Sequence, residues 1–168
     1  MLLSGRPTYS SVERASPFRY SGDGVIPLYD AFSRTFEMIR YRNAKGQYDD
    51  KALAEIDRLL SCHFKQEQIP ISLKLIELMD HLQDHFGAAE IEVISGYRSP
   101  EYNLKLKRRI RRVARQSMHT RGRAVDMKLL GIDSRTLRNY AVSLQVGGVG
   151  YYGRQRYLHI DTGPVRTW

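Results

Sequence analysis

The spacing of apolar residues divides the chain into helices and strands in mixed order. Residues 49–61 carry Leu53, Ile56, Leu59 and Leu60 at helical spacing and predict a helix with one apolar stripe. A second helix is predicted after Ser72, with Leu75, Ile76, Leu78, Met79, Leu82 and Phe86 along one side and Gly87 as its end. Residues 34–42 set Phe36, Met38 and Tyr41 among charges, which suits a half-exposed strand, and Asn43 to Gly46 read as a turn. From Ile91 the character changes. Ile91, Val93 and the run to Gly96 predict a buried strand, and Ser99-Pro100 opens a basic helical stretch to about Arg112. A short strand over 124–127 follows, then a helix capped by Ser134 with Leu137, Tyr140, Ala141 and Leu144 inward. Residues 147–152 and 157–161 predict two paired strands around a Gly-Arg-Gln turn.

Residues 1–27 are rich in Ser, Gly, Pro and Arg with little periodicity, and read as an irregular arm. The expected organisation is therefore an arm over 1–27 and a single α+β domain over 28–168. Its core would be a small antiparallel sheet packed against helices.

The composition narrows the partners. With 168 residues and 42% apolar content the chain can bury one sizeable core. Lys plus Arg number 27 against 18 acidic residues, a net charge of +9, which points to a polyanionic partner such as nucleic acid, anionic lipid or an anionic wall polymer. Charge alone does not choose among them. The single cysteine, Cys62, excludes an intramolecular disulfide and any Cys-rich zinc module. No run is long and apolar enough for a membrane span, and the opening residues lack the apolar stretch of a signal peptide. The expectation from that opening is either a protein that stays inside or a mature or trimmed form. Nothing in the sequence fixes the oligomeric state.

The segment Ser117-Met118-His119-Thr120-Arg121-Gly122-Arg123-Ala124-Val125-Asp126 carries the strongest chemical signal. Zinc takes imidazole nitrogen and carboxylate oxygen, and a catalytic site uses three protein ligands with one position left open. His119 lies just before a predicted strand and Asp126 on it, with Gly122 allowing the backbone to turn between them. His159, flanked by Tyr157, Leu158 and Ile160, is the obvious third candidate, and strand alternation puts it on one face with Asp161. Read from the residues alone, a lone histidine is more often packed or on the surface than a ligand, and pairing His119 with Asp126 raises that only modestly.

Three blocks in order carry a resemblance: residues 94–103 (Ile-Ser-Gly-Tyr-Arg-Ser-Pro-Glu-Tyr-Asn), the Ser-x-His-x-x-Gly-x-Ala-x-Asp pattern at 117–126, and 147–152 continuing to 159–168. In these the chain resembles the peptidase M15 group of zinc peptidases, and within it the small murein endopeptidases of Gram-negative bacteria. The resemblance covers about residues 33–168 and is strongest after 90. It implies one Zn²⁺ held by His119, Asp126 and His159, with Arg98 nearby to hold a substrate carboxylate or the oxyanion. It implies hydrolysis of peptide cross-links in peptidoglycan by a metal-activated water, and location in the periplasm or cell envelope. Many members of the wider group place an acid three residues before the last histidine. Here that position is Arg156, and Asp161 is the nearest substitute as general base, with orientation of a ligand as its other reading. Ser117 reads either as a support of the site or as a cap.

Two rival functions stay open: a peptidoglycan-binding protein without hydrolysis, and, more distantly, a basic nucleic-acid-binding protein. A peptidoglycan-binding protein that kept the fold without hydrolysis would explain Arg156, and a carboxypeptidase releasing D-alanine is within the group's range. Residues 105–115 (KLKRRIRRVAR) also resemble arginine-rich nucleic-acid segments, although Leu104, Leu106, Ile110 and Val113 give that stretch an apolar side suited to packing. Nucleic acid is not the expected partner. His81 and His85 lack the glutamate of a His-Glu-x-x-His motif and read as surface histidines. His63 beside Cys62 reads as ordinary. The run 147–150 (Gly-Gly-Val-Gly) precedes a hairpin rather than a helix, which sets it apart from a nucleotide loop.

Overall fold

The computed structural model describes residues 18–65, 67–110, 114 and 116–168. Residues 1–17 of the arm expected over 1–27, and residues 111–113 and 115 of the basic stretch, lie outside the described residues.

Among the described residues the strands are β1 (Val25–Asp30), β2 (Thr35–Arg40), β3 (Ile91–Ser95), β4 (Ala124–Leu129), β5 (Gly148–Tyr152), β6 (Tyr157–Asp161) and β7 (Arg166–Thr167). The helices are α1 (Asp50–Leu59), α2 (Leu73–Phe86), α3 (Pro100–Arg109) and α4 (Ser134–Ser143), with a 3₁₀ turn at Met118–Arg121. The seven strands form one sheet in the order β2-β1-β3-β4-β6-β5-β7. The α+β class and the single domain hold. The sheet is larger than expected and mixed, because β1 pairs parallel with β3 and β7 parallel with β5. Its centre, β3-β4-β6-β5, is antiparallel as expected.

Two strands were not predicted. β1 begins at Val25, so the expected boundary between arm and domain falls inside a strand. Pro27 argues against a central strand, yet pairing with β3 starts only at Leu28, one residue past the proline, where a missing N–H costs least. β7 is too short to carry a periodic pattern. In β2 the inward residue is Ile39, followed by Tyr41 beyond the strand, and Phe36 and Met38 face outward.

The helix ends follow local chemistry. Asp49 caps α1, its carboxylate accepting from the N–H groups of Lys51 and Ala52. Ser72 precedes α2 without a side-chain cap bond, and Gly87 ends it at φ +59°. α4 is capped by Asp133, one residue before the expected Ser134, because the aspartate accepts from Arg135 and Thr136 N–H at 3.1 and 2.9 Å. α3 starts as predicted at Ser99-Pro100 and ends at Arg109.

One core holds these elements together. Ile26, Leu28, Val93, Val125, Met127, Leu158 and Ile160 from the sheet join Leu53 and Ile56 of α1, Leu75, Ile76 and Met79 of α2, and Leu137 of α4. His81 and His85 pack against Tyr140 of α4: His81 Nε2 lies 2.9 Å from the phenol oxygen, and the His85 ring stacks on it at 3.5 Å. Buried Glu77 accepts from Arg42 Nε at 2.7 Å and from Tyr48 Oη at 2.8 Å, which ties the β2 end of the sheet to α2. Alternation along β6 points Leu158 and Ile160 into this core. His159 and Asp161 therefore face the other way.

Candidate metal centre

Three short elements bring the site together. Asp126 and His159 are direct partners across the β4–β6 ladder, and Ser95 of β3 flanks Asp126 on its other side. His119 arrives from the 3₁₀ turn. Ser117 Oγ accepts from the His119 N–H at 3.3 Å, which favours the capping role over the other expectation. Gly122 closes the turn at φ +62°, with its N–H on the His119 carbonyl. The Arg98 N–H also meets that carbonyl, at 3.2 Å. All three side chains are buried.

The facing atoms are His119 Nε2, His159 Nδ1 and Asp126 Oδ1. They form a triangle with edges of 3.1, 3.0 and 3.2 Å. The far nitrogen of each ring is already committed. His119 Nδ1 lies 2.7 Å from the Gly96 carbonyl, which can only accept, so this nitrogen carries the proton. His159 Nε2 lies 2.9 Å from Asp161 Oδ2 and donates to that carboxylate. With both rings neutral, two nitrogen lone pairs and a carboxylate oxygen thus converge with no donor among them. Such a cluster is unfavourable unless a positive charge sits inside. Ligands 2.0–2.1 Å from a tetrahedral zinc stand about 3.3 Å apart, close to the observed edges. The donor set, its spacing and the distal partners all fit a zinc ion.

The electrostatics agree. Burial works against ionised Asp126, but the two imidazoles and Arg98 outweigh it and hold the carboxyl well below its usual range. Burial lowers the basicity of His119. For His159 burial also opposes the charged ring, but hydrogen bonds to Asp126 and Asp161 outweigh it and raise its basicity. The pocket attracts positive charge.

The remaining expected residues fall close by. Arg98 Nη2 donates to Asp126 Oδ2 and its Nε donates to Ser95 Oγ at 2.9 Å, so the arginine is held against the Asp126 carboxylate. Asp161 is buried and accepts from His159, from both terminal nitrogens of Arg166, and from the N–H groups of Gly148 and Gly163. These partners overcome burial and keep it ionised far below the ordinary range. Arg156 sits exposed in the β5–β6 turn at φ +57°.

The centre opens into a cleft of about 880 Å³. Asp126 is the one carboxylate among its described lining residues. The sequence reading gave no site role to the wall residues Trp168, Phe64 and His63. Trp168 lies tilted against His159 at 5.1 Å, and Phe64 stacks on Tyr102 at 5.1 Å under the Lys105 ammonium. His63 lies against Phe32 with its Nε2 3.2 Å from Asp30 Oδ1. Only folding brings them to the site: His63 and Phe64 lie more than fifty residues before His119, and Trp168 arrives through β7. Tyr157, also on the wall, has its phenol pushed up to about 12 by burial and by nearby Asp126, so it stays a neutral donor.

Comparison with known proteins agrees with this geometry. Residues 25–168 match the profile of the peptidase M15 family described as peptidoglycan L,D-endopeptidase MepK. The chain is 38% identical over 127 residues to the probable peptidoglycan L,D-endopeptidase MepK of Haemophilus influenzae, covering 74% of this chain and 68% of that protein. It is 38% identical over 122 residues to the peptidoglycan L,D-endopeptidase MepK of Escherichia coli (strain K12), covering 72% and 67%. No solved structure gives a significant match. On the match over β1 to β7 and on these relatives, the chain belongs to the MepK family of the peptidase M15 group.

Proposed function

We propose that this protein is a zinc-dependent endopeptidase that cuts peptide cross-links in bacterial peptidoglycan, acting in the periplasm or cell envelope. The observation that carries the reading is the convergence of His119 Nε2, His159 Nδ1 and Asp126 Oδ1 at the floor of an open cleft. Membership of a family whose named relatives are peptidoglycan endopeptidases supplies the substrate class. The net charge of +9 suits an anionic wall polymer.

His119, Asp126 and His159 would hold the ion. When bound there, zinc would supply Lewis acidity toward the scissile carbonyl and lower the pKa of a water. The chain's own groups do the rest. The Gly96 carbonyl and the Asp161 carboxylate fix each imidazole so that the correct nitrogen faces inward. Arg98 fixes Asp126 through Oδ2, and its guanidinium stands where it can hold negative charge on the substrate or developing at the reacting carbonyl. Asp161 is saturated with donors and lies on the far side of His159. That arrangement favours an orienting role over the general base expected from strand alternation.

A second reading keeps the fold and the metal but not turnover: a peptidoglycan-binding protein. Arg156 at the position of the group's acid, and a cleft whose one described carboxylate is Asp126, favour it. Metal content and digestion of cross-linked muropeptides, measured on wild type and His159→Ala, separate the readings. About one zinc per chain with cleavage, both lost in the variant, is the expected result. Zinc without cleavage transfers the case to the binding protein. A wild type that takes up no zinc removes both.

A further inference from the structure

The run Gly147-Gly148-Val149-Gly150 has a physical reason at the other end of the chain. β7 lies parallel beside β5, with Gly148 opposite Arg166 and Val149 opposite Thr167. Trp168 continues the ladder: its N–H reaches the Val149 carbonyl at 3.3 Å and its carbonyl receives the Tyr151 N–H at 3.0 Å. The indole folds back over Gly150, which is itself the cross-strand partner of His159. A Cβ at Gly150 would stand 2.6 Å from Trp168 Cε2 and 2.7 Å from Cζ2 and Nε1. Only a residue without a side chain lets the ring lie there.

The ring rests against His159 at 5.1 Å and 47°, and the Arg166 guanidinium sits 5.1 Å from its centroid. Arg166 in turn holds Asp161, the partner of His159. Yet Trp168 remains 50% exposed and lines the cleft. Its apolar surface faces the space where a substrate must lie.

We infer that the Trp168 indole is a substrate-contact surface: the platform for the aliphatic part of the cross-linking peptide next to the scissile bond. The inference rests on the endopeptidase reading and adds a residue to it. Indole faces take C–H-rich groups by dispersion and burial, at a level of about tenfold in affinity. Gly150 sets the height of the platform.

The chain has one tryptophan, so its emission reports on this position alone. Zinc-loaded full-length protein is mixed with a cross-linked muropeptide dimer in stopped flow, before turnover. A saturable change in emission is expected, with its midpoint near KM. Trp168→Ala is expected to raise KM about tenfold with kcat within about threefold and zinc content unchanged. Trp168→Phe should recover most of the loss, since it restores an aromatic face. Gly150→Ala, which displaces the ring without removing it, should raise KM alone but add nothing in the Trp168→Ala background.

An unchanged KM in Trp168→Ala, with wild type cleaving normally, overturns the inference and leaves the endopeptidase reading intact. Loss of zinc in both Trp168→Ala and Trp168→Phe also overturns it, since the ring would then serve only to support His159. If Trp168→Ala does not fold, Trp168→Phe and Gly150→Ala decide by the same KM criterion. Wild-type protein that neither cleaves nor binds the dimer ends both the reading and the inference.

Discussion

Asp126 and His159 face each other across the β4–β6 ladder, and this pairing sets the geometry of the whole centre. Directly opposed residues on one face bring their side chains within reach without any loop to position them. A slip of one residue would turn both away from the cleft and bury them among Val125, Leu158 and Ile160. The apolar residues that alternate with Asp126 and His159 therefore fix these two side chains as well as the core. His119 is different: its position depends on one turn.

The partners of Asp161 distinguish its two roles by experiment. If it orients His159, Asp161→Asn weakens the hydrogen bond that fixes the ring and loosens Arg166 as well. Zinc affinity should fall roughly 10- to 100-fold, the usual effect of losing such a partner. Turnover should return when zinc is raised to saturation. A competition assay with a chelator, run beside muropeptide digestion, checks this. Full zinc affinity with turnover abolished would make Asp161 the base instead.

Arg98 is held on Asp126 Oδ2 and Ser95 Oγ, but its fork also faces the cleft. Arg98→Met keeps much of the bulk and removes the charge. Zinc content should persist, because Asp126 Oδ1, His119 and His159 are untouched. Turnover should fall by about 100-fold, the scale of losing a donor to developing negative charge. Initial rates at saturating muropeptide, with zinc measured on the same samples, test it. Turnover within a few fold of wild type would leave Arg98 only a support for Asp126.

His119, Asp126 and His159 were named together on a family resemblance, because Gly122 between the first two and the alternation around His159 fit a packed or surface histidine as well; folding brings the three side chains within reach of one another. The helices were legible from the spacing of their apolar residues, down to the Gly87 stop. What stayed hidden depends on distant parts of the chain. The partner of the His119 Nδ1 is a backbone carbonyl at Gly96, which no side-chain pattern announces. Trp168 reaches the site only because β7 adds to the sheet beside β5, and two residues of strand leave no periodic trace. β1 was masked by Pro27, whose position ahead of the β3 pairing is a tertiary fact. Phe36 and Met38 read as apolar, but the neighbouring phase, Ile39 and then Tyr41, is the one the core accepts.

Gly122 offers a test of the turn that carries His119. Its φ of +62° is in the left-handed region, and an added Cβ would stand 2.7 Å from the Pro70 carbonyl oxygen. Gly122→Ala should cost roughly 2 kcal/mol or more, from the backbone conformation and the collision together. The relief route is movement of the turn, which displaces His119 from its partners. Thermal unfolding should therefore shift down, and zinc affinity should drop although no ligand is altered. An unchanged affinity would show that His119 is placed by Gly96 and Ser117 without the turn's end.

A carboxyl far from the centre, that of Asp80, couples stability to pH. Asp80 of α2 is buried; its Oδ2 accepts from Tyr41 Oη at 2.7 Å and from the Gly24 N–H at 2.9 Å. Its Oδ1 has no partner among the described residues, and Asp84 and Asp23 lie near. Burial, with these two carboxylates adding to it and the two hydrogen bonds opposing, raises its pKa from 3.8 to about 7. The sign follows from proton binding. Between about 4 and 7 the folded chain keeps a proton that the unfolded chain releases. The contribution of Asp80 to stability is complete below pH 4 and is lost as pH rises through 7. At about 1.4 kcal/mol per unit, the loss is at most about 4 kcal/mol. Asp80→Asn cannot ionise, so its melting temperature should fall less than that of wild type from pH 5 to pH 8. Parallel curves for the two proteins would mean that Asp80 is already ionised at pH 5, with its charge accommodated by the fold.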